Sequence, residues 1–188
     1  MPIEHHHMND VRRLFDVNFF GNVALTQAFM PLAREDKARI VFISSLAGRI
    51  TQPKEGIYSA SKSAVESLAD ALRQELYPHG VSVSLVEPGF VATPILGKIL
   101  DSEEVGNSTA AAKDYKQLYK SSYFKVFEFG MGRAGHPHKV ARKVHEALTA
   151  SRPKTRYPTT NFMLVPTWLA IAAKWLLPDR VFDKIVMP

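Results

Sequence analysis

Residues 39–45 read RIVFISS, a short apolar run rich in β-branched side chains. Such a run, without polar alternation, predicts a strand that is buried on both faces of a parallel sheet. Tyr58 then opens a helical segment that runs to Pro78 and Gly80, a pair that typically stops a helix. VSVSLVEPG, residues 81–89, is the next predicted strand. Strand, helix and strand form a right-handed βαβ unit, so we expect an α/β fold.

A long amphipathic helix is predicted before this unit, over residues 9–34, with Asn18 and Asn22 interrupting its apolar stripe. That stripe has helical spacing and consists of Val11, Leu14, Phe15, Leu25, Phe29 and Leu32. After the unit, we expect a mixed segment over residues 95–130. A helix from His136, a short last strand near Arg156 and a helical tail over residues 160–188 follow it.

Composition limits the class of protein. The chain has 188 residues, 46% of them hydrophobic, which predicts a single domain over residues 1–188. Cysteine is absent, so thiol chemistry is excluded and a reducing cytoplasm is the default location. The net charge of +6 is spread along the chain and gives little support to nucleic-acid binding. We expect no metal site, since His5, His6 and His7 lack an evident fourth ligand.

The chain start, MPIEHHHMND, has no apolar core of a signal peptide. The most apolar stretch, residues 162–178, contains Pro166 and Lys174 and is shorter than the ~20 residues of a spanning helix. We therefore expect no transmembrane segment. A C-terminal helix docked on the core is the simplest interpretation, and a peripheral membrane contact or a cover over a substrate cleft is the alternative.

Tyr58 and Lys62 lie four positions apart, on one face of the predicted helix, among small residues. A free phenol has a pKa near 10, and an adjacent ammonium stabilises the phenolate, each pKa unit corresponding to ~1.4 kcal/mol. Such a pair makes a usable general acid or base. Small neighbours would let a ligand approach the helix closely. An exposed i,i+4 pair without function is the alternative, so context has to decide.

Context comes from both flanking strands. Ser45 stands 13 residues before Tyr58, at the carboxyl end of the first predicted strand. PGFVATP, residues 88–94, ends the next parallel strand and opens onto the same edge. Open α/β sheets bind their ligands at this edge. Ser44 competes with Ser45, and strand alternation lets only one of the two point at a ligand.

The sequence resembles the short-chain dehydrogenase/reductase family over about residues 9–95. The matching stretches are DVNFFGNV, RIVFISSLAGR, YSASKSAVESLADALRQEL and GVSVSLVEPGFVAT. The resemblance implies a partial Rossmann-type, doubly wound parallel sheet with flanking helices, made of the last three strands of the family sheet plus C-terminal helices. It also implies NAD or NADP as cofactor and hydride exchange with a secondary alcohol or ketone.

The resemblance assigns roles residue by residue. Tyr58 would be the general acid/base, and Ser45 would hold the substrate oxygen. Lys62 would lower the pKa of Tyr58 and bind the nicotinamide ribose, and Asn18 would hold a water that links Lys62 to solvent. The nicotinamide and the pyrophosphate would meet the segment that contains Pro88, Gly89, Val91 and Thr93.

Two of these residues have simpler explanations. Asn18 interrupts an apolar stripe, and a buried amide there needs hydrogen-bond partners with or without a catalytic role. Thr93 could cap a helix that begins at Pro94.

One part of the family pattern is missing. The glycine-rich turn that holds the cofactor pyrophosphate, the residue that selects NAD or NADP, and the NNAG segment are all absent, so the sequence looks like a C-terminal portion. GMGRAG, residues 130–135, satisfies GxGxxG but lacks a preceding buried strand and an acidic residue ~20 positions later. We interpret it as a loop that leads into a helix. We expect the chain itself to bind NAD(P) poorly, with the first strand left bare along one edge.

Two functional hypotheses follow. The first is an NAD(P)-dependent alcohol or ketone oxidoreductase. The second is a catalytically impaired fragment whose two long helices form a homo-oligomer contact or bind a full-length subunit. Aromatic residues of the segment 95–130 suggest a substrate loop and a lipophilic substrate, although they could equally pack a core. They are Tyr115, Tyr119, Tyr123, Phe124, Phe127 and Phe129.

Overall fold

The computed structural model of the chain describes residues 2–94, 132–162 and 165–186. The predicted substrate loop, residues 95–130, lies outside the described residues and stays a prediction. The chain forms two compact units: residues up to Pro88 with His138–Thr159, and the rest. The prediction of one domain over residues 1–188 is neither supported nor excluded by this division.

The first unit contains the parallel sheet and the helices around it. Short 3-10 turns lie at Ile3–His5, Leu46–Gly48 and Tyr77–His79. The regular elements are α1 (Met8–Phe15), α2 (Gly21–Glu35), β1 (Arg39–Ile43), α3 (Gly56–Leu76), β2 (Ser82–Pro88), α4 (Pro137–Thr149) and β3 (Arg156–Thr159).

The three strands are parallel and have the order β1-β2-β3. Along β2, Val83 and Leu85 face α3 and pack with Phe42 of β1, whereas Val86 faces the opposite side and packs with Tyr157. Partly buried side chains of α4 cover that second side. Helices thus lie on both faces of a parallel sheet, and the predicted α/β, doubly wound fold is confirmed.

The predicted helix over residues 9–34 is not one α-helix. Residues Asp16–Phe20 form a π-helical segment between α1 and α2, in which the Gly21 N–H donates to the Asp16 carbonyl. Asn18 lies at the centre of this segment. The two asparagines that interrupt the apolar stripe lie where the helical repeat itself changes, and π segments of this kind are frequent at functional sites.

The edge of the sheet at β1 is partly open. Within the described residues, β1 pairs only with β2, and Ile43 at its end is 45% exposed. The apolar side chains of α2 and the π segment are exposed as well. They are Val17, Phe20, Leu25, Phe29 and Leu32. These surfaces agree with the expectation that the first strand would have a bare edge.

The second unit contains an antiparallel ribbon and two helices. Its elements are β4 (Asn161–Phe162), β5 (Val165–Pro166), α5 (Thr167–Leu176) and α6 (Asp179–Val186). The rings of Phe90 and Phe162 stack with centroids 6.3 Å apart, and Phe182 is buried. The helical tail was predicted, but the ribbon was not. None of the described helices is both long and apolar enough to span a bilayer.

Candidate active site

Ser45 lies just beyond the carboxyl end of β1 and caps a 3-10 turn. Its hydroxyl accepts a hydrogen bond from the Ala47 N–H at 3.1 Å. Ser44 has the opposite environment, because its side chain is only 3% exposed and its backbone N–H donates to the Val86 carbonyl in the sheet. Of the two competing serines, Ser45 is therefore the one that reaches the rim of the sheet.

Tyr58 lies in the first turn of α3, where its phenol is close enough to the Ser45 side chain for a hydrogen bond with Ser45 to act on its pKa. The pKa of Tyr58 is raised above its usual value. Burial is the main cause, the bond with Ser45 opposes it, and the Glu55 carboxylate adds to it. The sequence-based expectation was a lowered pKa. Desolvation of the phenolate explains the difference, since removing a charged form from water outweighs the bond to one hydroxyl.

Lys62 lies one turn further along α3, with its Nζ 5.9 Å from the centre of the Tyr58 ring. The ammonium donates a 3.0 Å hydrogen bond to the Ile43 carbonyl, at the open end of β1. Burial lowers the pKa of Lys62, and the Glu66 carboxylate partly restores it. Ser45, Tyr58 and Lys62 thus come together at one edge of the sheet, from two segments of the first unit.

Asn18 reaches the same helix from the π segment. Its Nδ2 donates to Ser61 Oγ at 3.0 Å, and Ser61 Oγ in turn donates to the Tyr58 carbonyl at 2.7 Å. The Asn18 carbonyl accepts a 2.6 Å bond from Asn22 Nδ2. The side-chain amide of Asn18 therefore joins the π segment to the Tyr58 turn through its Nδ2, and its proposed water-holding role stays a prediction.

The small residues around Tyr58 contact the protein's own chain. Ser61 is completely buried against the π segment, and Ser63 Oγ donates to the Gly48 carbonyl at 2.9 Å. Gly48 approaches α3 so closely that an added Cβ would lie 3.1 Å from the Lys62 carbonyl. The expectation that these small residues leave room for a ligand therefore holds at most for the others, such as the exposed Ala60.

The predicted nicotinamide segment begins at Pro88, the last residue of β2, and continues in the second unit. Gly89 has no space for a side chain, since a Cβ would lie 2.5 Å from the Asn161 carbonyl oxygen. Val91 forms a parallel bridge with Gly135. Thr93 directly precedes Pro94, which has helical conformation. Backbone contacts are present at Gly89 and Val91, and the contact of the whole segment with a cofactor stays a prediction.

The GxGxxG match does not provide a phosphate site at its last glycine. The Gly135 N–H donates to the Phe90 carbonyl, and the Gly135 carbonyl accepts from the Ala92 N–H, so both backbone groups are engaged. Helix α4 begins two residues later. This agrees with the interpretation of the motif as a loop that leads into a helix.

A cluster of charged side chains next to the site was not foreseen from the sequence. It contains Arg49, Glu66, Asp70, Glu87 and Arg156. One signal was available: Glu66 and Asp70 continue the i,i+4 series of Tyr58 and Lys62 on a helix that packs against the sheet. A second signal was Glu87, an acidic residue in an otherwise apolar strand.

The sequence is similar to those of known oxidoreductases. The chain is 38% identical to an NADPH-dependent 3-dehydrocapnine reductase from Ornithobacterium rhinotracheale, covering 98% of this chain and 64% of the relative. It is 32% identical to the mitochondrial D-beta-hydroxybutyrate dehydrogenase of Rattus norvegicus, over 97% of this chain and 55% of that protein. The chain thus spans less than two thirds of the length of these curated relatives.

Solved structures agree at the level of the fold. A short chain dehydrogenase from Burkholderia cenocepacia, solved in complex with NADP, superposes with a TM-score of 0.70 at 20% identity, covering 100% of this chain and 66% of that one. The family model for short chain dehydrogenase matches residues 1–104, more than half of the sequence. These similarities confirm the resemblance drawn from the motifs: the chain belongs to the short-chain dehydrogenase/reductase family.

Proposed function

We propose that the protein is an oxidoreductase that transfers a hydride between NAD or NADP and a secondary alcohol or ketone, with Tyr58 as the general acid/base. The observation that carries this proposal is the convergence of Ser45, Tyr58 and Lys62 at the carboxyl edge of the sheet, where the Ser45 side chain acts on the pKa of the Tyr58 phenol. Lys62 stands one turn away and supplies the only cation of the trio. A substrate oxygen placed between the two hydroxyls would meet both.

The raised pKa of Tyr58 favours one direction of proton transfer. At neutral pH the phenol keeps its proton, so it can act as an acid toward a ketone oxygen. In that reduction, the substrate carbon gains a hydride and its oxygen gains the Tyr58 proton. Ser45 would donate a hydrogen bond to the same oxygen and fix its position. The reverse reaction needs the phenolate and therefore a higher pH.

The cofactor fits this site in part. Lys62 makes one hydrogen bond among the described residues, to Ile43, whereas an ammonium carries three N–H donors. Its remaining donors suit the hydroxyls of a ribose. NAD(P), when bound, supplies or accepts the hydride. Pro88, Gly89, Val91 and Thr93 are the proposed nicotinamide segment. No glycine-rich turn suited to a pyrophosphate accompanies them in the sequence, so we expect the 188-residue chain to bind NAD(P) weakly.

Fluorescence titration of the chain with NADH and with NADPH tests this expectation. Affinity weaker than micromolar agrees with it. Micromolar binding by the purified chain would show that other residues replace the missing turn.

The substrate is proposed to be a lipophilic alcohol or ketone. The support is the aromatic composition of residues 95–130 and the apolar C-terminal helices of the second unit, where Trp168 and Trp175 are exposed. A panel of secondary alcohols and ketones of increasing chain length tests this class. A steady fall of kcat/KM with chain length would contradict it.

Substitution of Tyr58 is the decisive test of the mechanism. Tyr58→Phe removes only the hydroxyl, and loss of general acid catalysis predicts turnover about 10²- to 10⁴-fold lower. The assay uses the chain and a form extended at its N-terminus, each with NAD(H) and NADP(H). Tyr77→Phe is the matched control, since Tyr77 is 83% exposed at the far end of α3. Full activity of Tyr58→Phe in a form that turns over substrate would refute the assignment.

A second candidate function is a binding module that forms a homo-oligomer through its long helices. The observation that favours it is the exposed apolar face of α2 and the π segment, on which Leu25 is 60% and Phe29 57% exposed. Small residues of α3 such as Ala60 and Ser67 are exposed too and allow close helix packing.

Light scattering measures this association directly. We expect the chain to be a dimer or larger and Phe29→Glu to make it monomeric, whereas Leu148→Glu, at a position on α4 that is 46% exposed, leaves the mass unchanged. A chain that is monomeric at high micromolar concentration would exclude the second function.

A further inference from the structure

The loop that carries Ser45 is fixed to the helix that carries Tyr58 by contacts outside the site. Ser63 Oγ donates to the Gly48 carbonyl at 2.9 Å, and Gly48 rests against the backbone of Lys62. The loop is one short turn, since the Gly48 N–H donates to the Ser45 carbonyl and the Arg49 N–H to the Leu46 carbonyl. A displacement at its end is therefore passed to Ser45.

Arg49 ends this turn and points at two buried carboxylates. Its Nη1 lies 3.8 Å from Glu66 Oε2 on α3 and 3.5 Å from Glu87 Oε1 on β2. The two glutamate side chains are only 7% and 1% exposed. A single guanidinium therefore ties the Ser45 loop to the Tyr58 helix and to the central strand.

Arg156 of β3 closes the cluster from the other side. It lies 2.7 Å from Asp70, 3.3 Å from Glu66 and 3.2 Å from Glu87. Among the described residues, Glu66 Oε1 is buried without a hydrogen-bond partner, and Glu87 Oε1 has only the ion-pair contacts with Arg49 and Arg156. A proton shared between the two glutamate carboxyls would relieve the repulsion between these buried groups.

Lys62 is the next cation on this face of α3, and its ammonium donates to Ile43 on the loop side. Along α3, the charged cluster therefore begins at Glu66, one turn after Lys62 of the proposed site. Side chains from the Ser45 loop, α3, β2 and β3 meet in this cluster. The Ser45 loop, α3 and β2 also carry residues of the proposed site.

We propose that Arg49 and Glu66 are positioning residues, which hold Ser45 beside Tyr58 without touching the substrate. This inference rests on the proposed function of Ser45 and Tyr58. It extends that function by naming what keeps the two hydroxyls together. A displacement of Arg49 would leave the buried carboxyl groups of Glu66 and Glu87 with one cation fewer, which destabilises the folded protein. We therefore expect the cluster to hold the short turn in place.

The carbon resonance of the Tyr58 phenol reports on this contact. The chain is labelled at tyrosine Cζ, its spectrum is recorded at neutral pH, and Tyr58→Phe identifies the signal. Ser45→Ala removes the hydrogen bond and defines the direction of the shift. We expect Arg49→Gln to shift the Tyr58 signal in that same direction, Arg49→Lys to shift it less, and Arg142→Gln, on the opposite face of the sheet, to leave it unchanged. A purely structural role would not produce the partial rescue by Lys.

Amide exchange provides a second readout of the same tie. We expect the Ala47 and Gly48 amides to exchange about tenfold faster in Arg49→Gln, with β2 amides unaffected, because local opening costs less than global unfolding. Should Arg49→Gln fail to fold, Ser63→Ala removes the other tie and is expected to produce the same shift and the same faster exchange.

The outcomes separate the two proposals. If Ser45→Ala shifts the Tyr58 signal and folded Arg49→Gln does not, the positioning role is wrong and the proposed function is untouched. The positioning role is equally wrong if Ser63→Ala, in place of an unfolded Arg49→Gln, leaves the signal unmoved. If Ser45→Ala itself has no effect on the Tyr58 signal, the contact that both proposals need is absent and both fail.

Discussion

The polar side chains in two successive parts of helix α3 have different surroundings. In the first part, burial is the main influence on Tyr58 and Lys62 and shifts both pKa values toward the uncharged forms. In the second part, Glu66 and Asp70 lie against guanidinium groups from other segments. The position on the helix face is the same, so the difference comes from the neighbours. Burial therefore dominates the pKa values of Tyr58 and Lys62, whereas contact with guanidinium groups dominates the pKa of Asp70.

The largest effect on the ion pairs of the second part is expected from a substitution of Arg156, on β3. Arg156→Met removes the cation nearest to Asp70 and leaves Glu66 and Glu87 with Arg49 alone, so we expect the free energy of unfolding to fall by about 3–5 kcal/mol. Urea denaturation measures it. Arg73→Met is the control, since Arg73 pairs with Asp70 on the partly exposed side and should cost no more than about 1 kcal/mol. Equal losses in the two variants would show that the cluster contributes nothing beyond a surface pair.

The ionisation of Glu87, on β2, provides a pH-dependent test of the charged cluster that the second part of α3 contacts. Burial and the neighbouring Glu66 raise the pKa of Glu87 to about 7. Between the pKa that Glu87 has in the unfolded chain and about pH 7, the folded protein therefore binds more protons than the unfolded chain. Stability falls as pH rises through this window, by an amount on the order of 3 kcal/mol. Glu87→Gln should abolish the fall and be more stable than the parent at pH above this window.

Denaturation curves across that pH range measure the effect, and Asp70→Asn is the control. The pKa of Asp70 is lowered by Arg156, so its contribution is present above its unfolded pKa and is lost only as pH falls further. An unchanged slope in Glu87→Gln would mean that Glu87 is ionised at neutral pH and the cluster holds no shared proton.

The smallest effect is expected in the first part, at Glu55. Its carboxylate raises the pKa of Tyr58, so Glu55→Gln should lower that pKa, by less than the effect of burial. Titration of the labelled Tyr58 carbon measures the change. Glu75→Gln, near the far end of α3, is the matched control. A higher pKa in Glu55→Gln, or an equal shift in both variants, would show that Glu55 does not act on the phenol.

The sequence was sufficient for the strands of the parallel sheet, for α3 and for which of these elements share an edge. The apolar runs at β1 and β2 and the helix between them follow from local pattern, and a parallel arrangement brings Ser45 and Tyr58 to the same edge. The roles of these residues stay predictions. A strand at Arg156 was also predicted, although nothing in the local pattern showed that its first side chain would meet Glu87.

The charged cluster could not be predicted because its members are brought together only by packing. Arg49 and Glu87 are distant in the sequence, and strand alternation tells which face a side chain takes but not what covers that face. The raised pKa of Tyr58 was missed for a related reason. An ammonium on the same helix is visible in the sequence, whereas the depth of burial is not.

The π segment at Asp16–Phe20 has a consequence for how the family's chain lengths can vary. A π turn holds one more residue than an α turn. Deleting a single residue there would close the segment into a regular α turn and change the directions of the side chains inside it. Asn18 would then swing away from Ser61 without any substitution having occurred. A gap of one position at this point would therefore alter the protein more than many exchanges of side chains.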